Sequence, residues 1–246
     1  MKIHLEADYI SSTVFYPTYR LDGRLLSVTL QLHFHQISAN VSIPQELVLL
    51  QLDDEQRLSL LQKKLQVAEK ISPFLLEHQI NVIIAVDEWM AQAIVDSEFL
   101  QHKVAAIAAL ELEMTEQFAG INSGIENALL KKLHQITPLA LANYGAGKAN
   151  SKAVYDSLFQ RIAIDKGFIQ QQMGKLSFKP FFNAIVTNIR PYCQQLVVQG
   201  VDSAEMMQTI RQFEVDGITS ILFPTVSEDT LTTLIVSPPI LVTDPG

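Results

Sequence analysis

The chain has 246 residues, 48% of them hydrophobic and 18% charged, which suits one large buried core and rules out a disordered tail. Eighteen basic against 26 acidic side chains leave a formal net charge of −8, arguing against direct nucleic-acid binding, which needs basic density to displace phosphate counterions. Cys193 is the single cysteine, so no internal disulfide framework and no thiolate zinc cluster is possible. The opening Met-Lys-Ile-His-Leu-Glu-Ala-Asp lacks the apolar core of a signal peptide. No run reaches the ~18 apolar residues of a membrane span. The expectation is a soluble, cytoplasmic, acidic protein.

Two strand-like runs open the chain, Ser12–Tyr19 and Leu25–Gln36, with Arg20-Leu21-Asp22-Gly23-Arg24 between them. Asp-Gly there predicts a hairpin, because the turn needs a positive φ, so the two strands should be antiparallel neighbours. Over Asp54–Ile71, Leu58, Leu61, Leu65 and Ala68 recur at helical spacing, with Lys63, Lys64 and Glu69 off that face. Ile80–Val86 reads as a strand buried on both faces. A helix is expected near Glu88–Leu100, then a strand at Ala109–Glu113. Ser123 and Glu126 have capping-box spacing ahead of Leu129, Leu130 and Leu133.

Strand Leu139–Asn143, a glycine loop, a helix near Ser151–Gln160 and strand Arg161–Asp165 follow. The alternation continues with helix Phe178–Pro191, strand Leu196–Gln199, helix Ser203–Phe213, strand Gly217–Leu222 and a last helix near Glu228–Ile235. Strands alternating with helices predict an α/β fold with a parallel sheet. Eight strands in this length predict a closed barrel, and the Asp22-Gly23 hairpin makes one strand antiparallel. Residues 1–236 are expected to form a single domain and 237–246, rich in proline, a flexible tail.

Gly145-Ala146-Gly147-Lys148 invites a nucleotide reading, but Ala142 and Ala149 break a Walker loop and Asn150 breaks a dinucleotide fingerprint. The expectation is a tight turn entering a helix. His33 and His35 share one side of the second strand with Thr29 and Gln31, and no third metal ligand is evident. Polar lining or a hydrogen-bonded pair is the expected role. Glu111, Glu113 and Glu116 are the densest carboxylates, suited either to a hard cation or to a solvated rim. Met206, Met207, Ile210 and Phe213 are expected in the core, and nothing around Cys193 argues for a thiolate nucleophile.

The order of motifs resembles the EAL domain family of cyclic di-GMP phosphodiesterases over nearly the whole chain. Phe15-Tyr16-Pro17 occupies the place of that family's Gln-Pro strand, and Leu112-Glu113-Met114-Thr115-Glu116 matches its Leu-Glu-Ile-Thr-Glu strand. Leu141-Ala142-Asn143-Tyr144-Gly145-Ala146-Gly147 stands where Leu-Asp-Asp-Phe-Gly-Thr-Gly is expected. Ile164-Asp165-Lys166-Gly167-Phe168-Ile169 resembles Ile-Asp-Arg-Ser-Phe-Val, and Gln199-Gly200-Val201-Asp202 replaces Glu-Gly-Val-Glu. The resemblance implies a barrel with one reversed strand, in agreement with the hairpin reading.

The departures carry the functional expectation. The resemblance places Thr29 at the metal-binding Glu, Ala85 at the metal-binding Asn, Ala142 and Asn143 at the two aspartates, Ala163 at the catalytic Lys and Gln199 at the late catalytic Glu. Only Glu113 remains a carboxylate. His33 stands for a ligand-holding Arg, Tyr16 for a Gln, and Thr219-Ser220 for a Gln-Gly pair, so cyclic di-GMP contacts are depleted too. Metal-assisted hydrolysis needs anionic oxygens around its ions. The expectation is no catalysis, no metal and no cofactor.

Within the family, Pro138–Gln172, Ser177-Phe178-Lys179-Pro180-Phe181, Leu222-Phe223-Pro224 and Ile43-Pro44 resemble the YdiV-like, degenerate branch that restrains flagellar gene expression. That resemblance implies binding to the FlhD subunit of the FlhDC activator, without membrane or nucleic acid as partner. The alternatives are a residual cyclic di-GMP receptor and, last, an active phosphodiesterase.

Overall fold

A computed structural model describes residues 2–4, 8–36, 42–43, 48–49, 51–147 and 152–242. Pro44, Lys148, Ala149, Asn150, Ser151 and residues 243–246, which enter the expectations above, lie outside the described residues.

The first half runs β1 Lys2–His4, β2 Asp8–Tyr19, β3 Leu25–Gln36, β4 Ser42–Ile43, α1 Asp54–Glu77, β5 Asn81–Ala85, α2 Glu88–Asp96, α3 Glu98–Ala106 and β6 Leu110–Thr115. Then come α4 Ala128–Ile136, β7 Leu139–Tyr144, α5 Lys152–Tyr155, β8 Arg161–Ile164, α6 Lys166–Gln172 and α7 Phe178–Ile189. The chain continues with β9 Gln195–Val198, α8 Ala204–Ile210, β10 Gly217–Ile218, β11 Val226–Ser227 and α9 Pro239–Val242.

Strands pair in the order β2-β10-β9-β8-β7-β6-β5-β3, and β3 pairs back to β2. That ring is the eight-stranded barrel read from the sequence. β2 is antiparallel to both β3 and β10, while the other neighbours in the ring are parallel. The reversal follows from the hairpin: Gly23 takes φ +87°, and Arg20 N–H bonds Arg24 O at 2.8 Å. β1 and β4 extend the long hairpin beyond the ring, and β11 adds to β2.

Alternation along the strands sorts the two layers. Val82, Ile84, Leu112, Leu139, Leu141, Ile162, Leu196 and Val198 are buried in the main apolar core beneath the helices. The alternate residues form the barrel interior. Met207 and Ile210 are buried in that core, with Met206 and Phe213 packed against it.

Several boundaries differ from the sequence reading. α1 continues past Ile71 through Pro73, with Leu75 fully buried and the Ser72 hydroxyl donating to Ala68 O at 3.1 Å. Apolar anchoring there outweighs the lost backbone donor of the proline. Lys64, expected off the apolar face, is 1% exposed. The helix expected over Glu88–Leu100 breaks at Ser97, which is extended and whose hydroxyl caps α3 through Leu100 N.

The Ser123–Glu126 capping box does not form. Those residues lie in a 3₁₀ turn, Gly124 has φ +57°, and Asn127 caps α4 by accepting from Leu129 N and Leu130 N at 3.0 and 3.2 Å. The described helix after the glycine loop is the single turn Lys152–Tyr155, and α6 was not anticipated. The expected strand Gly217–Leu222 pairs only over Gly217–Ile218, and Glu228–Ile235 is 3₁₀. Within the expected tail, Pro239–Val242 form a helical turn in which Leu241 is 4% exposed and its carbonyl accepts from Arg211 at 3.0 Å.

Candidate functional site

The carboxyl ends of the parallel strands converge with the hairpin on a cavity of about 470 Å³. Tyr16, Pro17, Thr29, Asn143, Lys166, Gln199, Asp202, Thr219, Ser220, Ile221 and Phe223 are among its walls. Ligands bind at this end of such barrels, where loops leaving the strands supply variable side chains. Of the residues singled out in the sequence, Tyr16, Thr29, Asn143, Gln199, Thr219 and Ser220 meet here. Ala142 and Ala163 are buried, each 4% exposed, and Ala85 ends β5.

His33 and His35 point to the polar side of β3, as expected, while Val28, Leu30, Leu32 and Phe34 are buried. They do not pair with each other. His33 Nε2 lies 2.9 Å from the Tyr16 hydroxyl, and His35 Nε2 lies 3.3 Å from that of Ser12. Tyr16 is thereby tethered to the hairpin wall.

The three glutamates have separate tasks. Glu111 is buried in the barrel interior, where Arg161 donates to it through Nε at 2.7 Å and Nη2 at 3.1 Å. Arg161 Nη1 also donates to Ser27 Oγ at 3.0 Å, and Asn81 Nδ2 donates to Glu111. Glu116, 4% exposed, accepts from Gly145 N at 2.8 Å and so holds the glycine loop to the end of β6. Glu113 is half-buried one strand repeat above Glu111. Desolvation pushes its carboxyl up to about 7, with Arg161 opposing and Glu111 reinforcing the rise.

The glycine loop is a turn, as the failed nucleotide motifs implied. Asn143, Gly145 and Gly147 have φ of +57°, +98° and +106°, and an asparagine tolerates that region better than most residues. Past β8, Asp165 caps α6 by accepting from Phe168 N at 2.7 Å.

Sequence reasoning missed the salt bridge that closes one side of the mouth. Lys166 Nζ reaches Asp202 at 3.1 Å, with its stem lying over Gly200, where a Cβ would stand 2.4 Å from Lys166 Cγ. Asp202 also accepts from Gln170 Nε2 at 3.0 Å and Ile221 N at 2.9 Å, joining α6 to the loops after β9 and β10. The glycine after a strand, followed two residues later by an acid, was the available signal.

The donor set does not fit a divalent cation. Hard cations require several anionic oxygens, whereas Thr29, Asn143 and Gln199 are neutral and Asp202 is engaged as described. Among the described residues no group of three His, Cys, Asp or Glu is placed to hold a metal. Gln199 Oε1 is buried with no hydrogen-bond partner. Behind β5, the buried Lys64 ammonium donates to Ala85 O at 3.3 Å, and burial pulls it down to about 8 against the pull of Asp87. Burial likewise pushes the Cys193 thiol up to about 11, which keeps it protonated at neutral pH.

Comparison with known proteins decides the family. The EAL domain model matches residues 26–219. The chain belongs to the EAL domain family. YdiV of Escherichia coli (strain K12) is 33% identical over 235 residues, which is 96% of this chain and 99% of that protein. A Salmonella arizonae relative, named anti-FlhC(2)FlhD(4) factor YdiV, is 32% identical over 94% of this chain and 98% of its own length. The crystal structure of the EAL-like domain protein YdiV superposes with a TM-score of 0.87 at 32% identity, covering 92% of this chain and 96% of that one. The PaMucR phosphodiesterase in complex with c-di-GMP gives 0.70 at 16% identity, covering 91% and 94%, a likeness of fold. Among the described residues no helix is long and apolar enough to cross a membrane.

Proposed function

We propose that this chain is a non-catalytic, cytoplasmic EAL-like regulator that binds the FlhD subunit of FlhDC and represses flagellar gene expression and motility. The observation that carries the reading is the 33% identity to YdiV across 96% of the chain. An acidic body suits the task, since it acts on a DNA-binding complex without competing for DNA. Fold alone does not set this role. The direct test is capture of purified FlhD, then of FlhDC, by the full chain. Saturable binding to FlhD supports the reading, and its absence with both partners refutes it.

The loss of catalysis rests on Thr29, Ala85, Ala142, Asn143, Ala163 and Gln199 in place of the family's metal ligands and lysine. Glu113 alone gives neither an activated water nor a clamp on the phosphodiester. With Mg²⁺ or Mn²⁺ supplied, cyclic di-GMP turnover is expected to equal a no-enzyme control. Metal-dependent turnover abolished by Glu113→Ala would contradict this.

The receptor alternative draws on the intact mouth cavity. Tyr16, His33, Thr219 and Ser220 replace ligand-holding positions, so calorimetry at micromolar concentration is expected to show no saturable cyclic di-GMP isotherm. The determinants for FlhD should lie on the helical exterior, where a contact of ~800 Å² per partner has room. Accordingly Glu113→Ala, at equal folded fraction, should change FlhD affinity by less than about threefold. A loss of tenfold or more would move the partner onto the old mouth.

A further inference from the structure

The helical exterior is not uniform. From Lys166 to Val201 the sequence carries Lys166, Lys175, Lys179 and Arg190 and no Asp or Glu, in a chain of net charge −8. Lys166 is matched by Asp202 and Arg190 by Asp216. Lys175 donates to the neutral Gln172 Oε1 at 3.0 Å, and neither Lys175 nor Lys179 has a carboxylate partner among the described residues. Two cations without a carboxylate partner therefore stand four residues apart in the chain of an acidic protein.

Large apolar side chains are exposed beside them in the sequence and across the adjoining α5 turn. Leu176, in the turn before α7, is fully exposed, Phe181 is 47% exposed and Tyr155 is 50% exposed. α7 turns Phe178, Phe182, Val186 and Ile189 into the core, while Ile185 and Asn188 line a groove of about 220 Å³ with Phe168, Tyr155 and Glu116, whose buried carboxylate is engaged by Gly145 N. The Phe181 ring centroid lies 5.8 Å from that of Phe168, which is one wall of the groove. A leucine wholly in water, five residues before an exposed phenylalanine whose ring meets a groove wall, is the kind of feature that marks a protein contact.

We propose that this face, centred on Lys175, Leu176, Lys179 and Phe181, seats an acidic amphipathic segment of the chain's protein partner. The inference rests on the reading of the chain as an FlhD-binding regulator and adds where and by what chemistry the contact is made. Apolar anchors of the incoming segment fill the groove, as in helix-in-groove recognition, and its carboxylates meet Lys175 and Lys179. The acidic remainder of the surface repels the same segment, so the charge pattern selects the docking site as well as strengthening it.

Three full-length variants test this against purified FlhD and FlhDC at low and high salt. Lys175→Glu with Lys179→Glu reverses the charge. Leu176→Ala with Phe181→Ala removes exposed anchors and should leave the fold unchanged by circular dichroism and melting. Lys131→Glu with Lys132→Glu on exposed α4 is the control. The expected result is a loss of about tenfold or more for the first two pairs, the first shrinking at high salt, and less than about threefold for the control. Wild-type binding retained within about threefold by both test pairs would overturn this surface while leaving the partner intact. No wild-type binding at all would remove the regulator reading and this inference with it. If sedimentation shows a wild-type dimer that the anchor variant dissociates with FlhD affinity unchanged, the face joins two copies of this chain and the proposal is wrong.

Discussion

Replacing Arg161 by leucine is expected to lower the thermal midpoint by roughly 6–20 °C, the shift that follows from about 3–5 kcal/mol in a chain of this size. Arg161 and Glu111 are each 1% exposed, and the guanidinium gives Glu111 two hydrogen bonds at 2.7 and 3.1 Å. Arg161→Leu leaves the carboxylate in the barrel interior with Asn81 as its remaining polar partner from this cluster, and it also frees Ser27 Oγ. Attraction between a buried pair largely offsets its own desolvation, so breaking one side costs far more than the pair contributes. Glu111→Leu combined with Arg161→Leu should therefore recover most of the loss. Melting curves of the two single variants and the double complete the cycle. An unchanged midpoint for Arg161→Leu would show that Glu111 is hydrated or neutral without its partner.

The second large effect is the pH dependence that Glu113 imposes. Its folded-state carboxyl lies at about 7 against an ordinary 4.5, chiefly through desolvation. Because the folded state holds the proton more tightly, the stabilising effect is complete below about 4.5, declines as pH rises, and is gone above about 7. Glu113→Gln keeps the shape of the neutral acid and removes the titration. At pH near 4.5 the variant and the wild-type chain should melt together. At pH near 8 the variant should be more stable by roughly 2–3 kcal/mol, a midpoint about 4–12 °C higher. A constant difference between the two melting points across that range would show that the Glu113 carboxyl titrates alike in the folded and unfolded chain. The desolvated carboxylate of Glu113 therefore costs stability at neutral pH.

The barrel was legible because its cues are local. Asp22-Gly23 dictated the hairpin, and apolar runs such as Ile80–Val86 and Leu139–Asn143 dictated strands covered on both sides. Where local cues misled, a neighbour remote in sequence was responsible. Pro73 should end a helix, yet the burial of Leu75 carries α1 onward. Ser123 and Glu126 have the spacing of a cap, yet Gly120 and Gly124 bend the chain into a turn and Asn127 takes the role. Pro238-Pro239 signals a loose end, yet Leu241 finds a buried place.

The candidate site divides in the same way. The sequence by itself determined that Thr29, Ala142, Asn143 and Gln199 carry no charge, because side-chain charge is a property of the residue. It also determined the acid-free stretch from Lys166 to Val201. Only the tertiary structure decided which glutamate does what. Glu111, Glu113 and Glu116 lie within six residues of one another, but closing the barrel sets Arg161 against the first, leaves the second half-buried, and hands the third the Gly145 amide. Ionic partners fifty residues apart, like Arg161 and Glu111, are fixed by strand order and packing, which no spacing along the chain encodes.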